Sequence, residues 1–92
     1  MDTVLQLIKV RLNRADSALD DYLSTRIEAA RDELEHKGVS LNLTMTEDCV
    51  FLADYAAWQY LNRDKAGAMP EWLRLALRER FLRNRGGDGN AT

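Results

Sequence analysis

Apolar residues recur along most of this chain at the three-to-four-residue spacing of an α-helix, and the period changes only once. Val4, Leu5, Ile8 and Leu12 form the first stripe, with Lys9 and Arg11 off it. That pattern predicts a helix over 3–13, capped by Asp2 or Thr3. Leu19, Tyr22, Leu23, Ile27, Ala30 and Leu34 form a second, longer stripe, and Arg26, Glu28, Asp32, Glu33 and Glu35 fill its wet side. Asp16 or Ser17 is the expected cap there. Asp20 and Asp21 in the first turn, and His36 and Lys37 in the last, carry the charges that a helix dipole favours. Gly38 supplies the left-handed residue that ends such a helix.

From Val39 to Met45 the chain alternates strictly, with Val39, Leu41, Leu43 and Met45 apolar and Ser40, Asn42 and Thr44 polar. That is the period of a strand. One strand cannot satisfy its own backbone donors and acceptors, so two readings stand. The segment is a connector that pins one side onto the bundle, or a strand that orders against another subunit. A third helix begins after Thr46, with Glu47 and Asp48 in its first turn and with Thr44 and Glu47 spaced as a capping box. From Cys49 to Leu61 it is apolar nearly all round, the mark of a helix at the centre of a bundle. A polar turn follows over 62–69. Pro70 fits the first position of a fourth helix, with Trp72, Leu73, Ala76, Leu77 and Phe81 inward and Leu75 and Leu82 off that stripe.

The expected fold is therefore all-α: a small four-helix bundle with a largely buried third helix and one extended segment between helices two and three. A single domain covers 1–85, and the glycine-rich 86–92 is expected to be a flexible tail. The expected core includes Leu23, Ile27, Phe51, Tyr55, Trp58, Trp72 and Leu77, with Asp54 enclosed among them.

Composition narrows the function. Of the 92 residues 46% are hydrophobic, enough for one core, and the single Cys49 can form no internal bridge. Met1-Asp2-Thr3 lacks the basic flank of a signal peptide, and no apolar run nears the ~20 residues of a membrane span. The expectation is a chain kept in the cytosol, or in an assembly made there, with no membrane partner. Net charge is −2 and the isoelectric point is near 5.3, whereas dedicated nucleic-acid binders usually exceed ~9. The charge is uneven: residues 15–37 carry seven acids against three bases, and residues 73–85 carry five arginines against Glu79 alone. Arg74 and Arg78 can share one face of the fourth helix with Arg85, beside Arg80 and Arg83.

Candidate chemistry is sparse. His36 is the one histidine and Cys49 the one thiol, with no metal-ligand spacing between them. No glycine-rich loop opens a helix, and no acid–base pair is evident. No catalytic residue, metal or cofactor is expected. Asp54 stands inside an apolar helix and must either face solvent or find a polar partner, such as Arg63, an arginine of helix four or a tyrosine hydroxyl. Replacing it by leucine is then expected to destabilise the fold by ~1–3 kcal/mol.

The run Asp54-Tyr55-Ala56-Ala57-Trp58-Gln59-Tyr60-Leu61-Asn62-Arg63-Asp64, followed by Gly67-Ala68-Met69-Pro70 and Leu73, resembles the small head–tail connector proteins of tailed bacteriophages and prophages. Leu5, Ile8, Lys9, Arg11 and Leu12, then Tyr22-Leu23, Ile27, Ala30, Glu33-Leu34 and Gly38, extend the resemblance over about Thr3 to Arg83. It implies a structural virion protein, assembled in the bacterial cytoplasm and located at the head–tail junction. Such a protein forms a homo-oligomeric ring beneath the portal, extends the DNA exit channel, helps retain packaged DNA and offers a surface to the tail. Its partners are then itself, the portal protein, a tail-side connector, and DNA that passes without being read. The candidate interface residues are Leu41, Leu43, Met45, Arg63, Arg74, Arg78, Leu75 and Leu82. The alternative is a small DNA-binding or regulatory module that uses the arginine-rich fourth helix.

Overall fold

A computed structural model describes residues 2–62 and 68–89, with residue 2 and residues 84–89 described by their backbone. Four helices follow one another: α1 (Asp2–Arg11), α2 (Asp20–His36), α3 (Thr46–Leu61) and α4 (Glu71–Gly89). Among the described residues there is no strand. The fold is the all-α four-helix arrangement that the hydrophobic periods predict.

The core forms around α3. Leu52, Ala53, Tyr55, Ala56 and Ala57 are all fully or almost fully buried, and Cys49 and Phe51 nearly so. Val4 and Ile8 of α1, Leu23, Ile27, Ala30 and Leu34 of α2, and Leu73 of α4 close over it. Alanines at 53, 56 and 57 keep the surface of α3 low, so a neighbouring backbone can approach closely. Trp58 and Leu77, expected in the core, are half-buried against it.

The first two helices end in the same way. Asn13 takes a positive φ of 57° and Gly38 one of 92°. Arg14 N–H donates to the Lys9 carbonyl and Asn13 N–H to that of Val10; Val39 N–H donates to Leu34 and Gly38 N–H to Glu35. Both are Schellman motifs, which satisfy carbonyls that the helix end would leave bare. At Gly38 the apolar contact of the motif is present too, because Val39 and Leu34 are both buried. This turns the chain sharply, so that 39–45 runs back over the bundle.

That segment settles one alternative. It is irregular over 39–42 and turns at 43–44. Its alternation does sort side chains: Val39 and Leu41 are buried, Leu43 is half-buried, and Ser40, Asn42 and Thr44 face water. Its backbone groups find partners within the chain. Asn42 N–H donates to Asp48 Oδ2 at 2.8 Å, Thr44 N–H to Asn42 Oδ1 at 3.0 Å, and the Cys49 thiol to the Leu43 carbonyl at 3.2 Å. Met45 N–H donates to the Asn42 carbonyl. In the single chain the segment is therefore not a strand but a connector pinned to its own bundle, with Leu41 only 7% exposed.

Other expectations shift at helix ends. The α2 helix begins at Asp20, with Leu19 at the cap and no side-chain cap bond. Asp16 Oδ1 instead accepts from the Ala18 N–H, a local turn that holds residues 16–18 outside the helix. The capping box at Thr44 and Glu47 does not form, since Met45 is the cap residue and the Thr44 hydroxyl donates to Asn42. Pro70 stands just ahead of α4, its carbonyl accepting from Leu73 and Arg74. The α4 backbone stays helical to Gly89, where a tail was expected from Gly86. Glycine lowers helix preference by about 1 kcal/mol, yet it keeps its N–H and so weakens the ladder without breaking it.

Tyr55 fastens α2 to α3. Its hydroxyl donates to Glu33 Oε2 at 3.2 Å, and Gln59 Nε2 donates to Glu33 Oε1 at 2.7 Å. Burial, reinforced by the Glu33 carboxylate, pushes the Tyr55 phenol up to about 12. In the unfolded chain it ionises near 10, so the stability it contributes is full below pH 10 and is lost as pH rises through about 12. Tyr55→Phe should lower stability at pH 7 by about 1 kcal/mol. It should also flatten the alkaline decline, which denaturant titrations at pH 7, 10 and 11 would reveal.

Candidate functional site

Among the described residues the backbone of α4 approaches that of α3 and of no other helix. Leu73 is the fully buried contact, and Ala76, Leu77 and Phe81 are half-buried beside it. Lower down, Arg80 takes the place of an apolar residue and is only 9% exposed. Its guanidinium lies 4.7 Å above the Phe51 ring, donates to the Glu47 carbonyl at 3.0 Å and faces Asp48 Oδ1 at 3.4 Å. Arg83 bridges Glu47 Oε1 at 3.1 Å and Glu79 Oε2 at 3.3 Å. Acids belong in the first turn of α3 because its unpaired N–H groups favour negative charge. Two arginines of α4 then find those acids. Part of the basic series that the sequence presents is thereby used inside the fold.

Asp54 has a partner, but a different one from those expected. Arg11 of α1 reaches it, with Nη1 3.2 Å from Oδ1. The same guanidinium lies 5.5 Å from the centre of the Trp72 ring. Arg11 therefore joins α1, α3 and α4 at one point. Trp72, expected in the core, is 49% exposed, with one face covered by that cation. Its position on the rim of the α4 stripe, one residue before the buried Leu73, accounts for this. Asp54 is half-buried, and its carboxyl is raised from the ordinary value because burial outweighs the opposing pull of Arg11.

On the outer side of α4, Leu75 and Leu82 are 48% and 54% exposed. They stand seven residues apart and opposite Leu73, so they form one apolar line facing water. Arg74 and Arg78 are exposed beside them. Arg74 pairs with Glu71 at 3.2 Å, and Arg78 makes no ion pair among the described residues. Arg78 borders a groove of about 290 Å³ between α4 and the turn that ends α2. Met45 is exposed at the far end of the connector, away from the buried Leu41. Arg63, offered both as an interface residue and as a partner for Asp54, lies outside the described residues, as do Gly67 and the side chain of Arg85.

The structure thus places Leu75, Leu82, Arg74 and Arg78 together on the exposed side of α4. Arg11, Arg80 and Phe81 were not singled out as site residues from the sequence. For Phe81 the signal was present, since Arg74, Leu77, Arg78 and Phe81 recur at i, i+3, i+4 and i+7. Nothing along the chain paired Arg11 with Asp54, which lies 43 residues further on. Among the described residues no three histidines, cysteines or acids group as a metal site, and no helix is long and apolar enough to cross a membrane. No family model, curated protein or solved structure matches the chain.

Because burial raises the Asp54 carboxyl, ionised Asp54 costs the fold stability as pH rises through its raised value, and Arg11 reduces that cost. Arg11 keeps water access, so it loses little if Asp54 is removed. Asp54→Leu should leave the thermal midpoint unchanged or raise it, in place of the loss expected from the sequence alone. Arg11→Ala should cost about 1–3 kcal/mol at pH 7 and less in acid, where a protonated Asp54 needs no counter-charge. Thermal melts of both variants at neutral and acid pH would check this.

Proposed function

We propose that this protein is a structural subunit that assembles with copies of itself into a ring at a phage head–tail junction. There it would extend the DNA exit channel between portal and tail and help retain the packaged genome. The observation that carries the reading is the crest of α4, where Leu75 and Leu82 face water in one line. Seven residues are about two turns, so the two side chains stack some ~10 Å apart. Covering the exposed half of each would be worth about 1 kcal/mol, a gain the monomer leaves unused. A ring uses such a surface through a heterologous contact, in which one face of each subunit meets a different face of the next.

The resemblance of residues 54–64 and 67–70 to the connectors supports the same reading and supplies the proposed partners. These are a second copy, a portal protein, a tail-side connector, and DNA that passes through unread. In this reading the virion is assembled in the bacterial cytoplasm, and the subunit has no catalytic task. The competing module that grips DNA through α4 has less support. Arg80 and Arg83 are held by Glu47 and Asp48, which leaves Arg74, in an exposed pair with Glu71, and Arg78 as the α4 arginines with described side chains that could turn to a phosphate. Half of that described series is thereby withdrawn from phosphates, on which sequence-independent affinity depends.

Electron microscopy and sedimentation of the purified chain should show monomers or small oligomers when dilute and rings when concentrated, or when a portal protein is added. Leu75→Ser combined with Leu82→Ser should keep the helix content and abolish the rings. A parent protein that stays monomeric under all these conditions and shifts DNA in a salt-sensitive way would favour the DNA-binding module instead.

A further inference from the structure

We infer that the groove beside α4 is the seat for a second copy's α2, which enters with the outer face that carries Glu28, Asp32 and Glu35. The inference rests on the ring reading and adds to it a second contact, beside the Leu75 and Leu82 crest. The groove has an apolar floor of Val39, Leu77 and Phe81, and Lys37, Arg74 and Arg78 stand on its rim. Gly38, between the lining residues Lys37 and Val39, lies against Phe81. A Cβ there would lie 3.2 Å from Phe81 Cε1, and the positive φ already disfavours any other residue.

The rim cations are weakly committed. Lys37 Nζ is 3.9 Å from a Glu33 oxygen that also accepts from Tyr55. Arg74 holds Glu71 in an exposed pair one turn apart, and Arg78 holds no described acid. Exposed pairs of this kind contribute little and exchange readily for better-placed ones. An apolar floor under three such cations fits a partner that brings carboxylates on a surface of small residues.

The outer face of α2 has that chemistry. Opposite the buried Leu23, Ile27, Ala30 and Leu34, helical geometry places Asp21, Thr25, Glu28, Ala29, Asp32 and Glu35, with His36 at the C-terminal end of the face, its ring against the Asp32 carbonyl. No lysine or arginine lies within this face. Asp21, Glu28 and Asp32 make no ion pair among the described residues, and Glu35 has only a 3.8 Å approach to Arg31. Glu28, Asp32 and Glu35 recur at i, i+4 and i+7, three carboxylates to set against three cations. Ala29 and Thr25 between them are small enough to let the helix sit low on the floor. Lys37 leaves α2 on a different side from these acids, so a single chain presents both a groove and an occupant, as a closing head-to-tail contact requires.

Reciprocal charge swaps test the contact. Arg74→Glu/Arg78→Glu reverses the groove, and Glu28→Arg/Asp32→Arg reverses the entering face; all four positions are exposed, so circular dichroism should match the parent. Each double variant alone should self-associate more weakly by about tenfold or more, because like charges then face each other. An equimolar mixture of the two should recover assembly by alternating around the ring, and the parent's assembly should weaken as salt rises. If both variants assemble like the parent, the contact lies elsewhere and this inference is overturned, while the ring survives. A loss that mixing does not rescue assigns the groove to a different acidic partner and also overturns it. A parent that never assembles overturns both readings together.

Discussion

The α3 helix has almost no polar side to give to water, and the positions of the other three helices follow from covering it. A helix apolar on every face cannot lie at a surface; it has to be wrapped. The α1 helix lays Val4 and Ile8 into this core, and α2 lays Leu23, Ile27, Ala30 and Leu34. The connector at 39–45 returns Val39 and Leu41 to the same core and shields a further edge. What remains falls to α4, which has only Leu73 to bury completely.

Around this core each neighbouring pair of helices has its own polar tie. Lys9 and Asp20 join α1 to α2 at 3.0 Å, and Glu33 receives Tyr55 and Gln59 to join α2 to α3. Arg11 and Asp54 join α1 to α3, and Arg80 joins α4 to the first turn of α3. Apolar packing alone is non-directional and tolerates a helix slid or rotated by a turn. A guanidinium that must meet a carboxylate does not tolerate it, because a desolvated charge without its partner is costly. The ties therefore bear on which packing forms more than on how much stability results.

The α4 helix, like α1 at Val10 and α3 at Leu61, leaves large apolar side chains bare. Its inner side is shared between Leu73 and Arg80, and its outer side shows leucines where α2 shows acids. The contrast between an acidic outer face and an apolar, cationic ridge gives the chain two unlike surfaces, which the proposed head-to-tail assembly would use.

The helices themselves were legible from the sequence because hydrophobic period, glycine and proline act locally. The stripe of α2, the left-handed Gly38, the all-round apolar α3 and the entry of α4 after Pro70 all stand in the residues and their spacing. The alternation at 39–45 correctly sorted Val39 and Leu41 from Ser40 and Asn42, yet it could not say what they would face. Period reports a side chain's direction and not its neighbour, so a connector folded onto its own bundle and a strand awaiting a partner read alike. Caps were legible only in part, since Asp16 and Thr44 spent their side chains on nearer turns. Pairings between helices were decided by the tertiary structure alone. Asp54 meets Arg11 rather than Arg63 or an arginine of α4, and Arg80 is drawn under Phe51 while Trp72 is left half-exposed. Such contacts depend on how three helices are rotated about α3, a result of packing the whole core at once, and no residue encodes that rotation by itself.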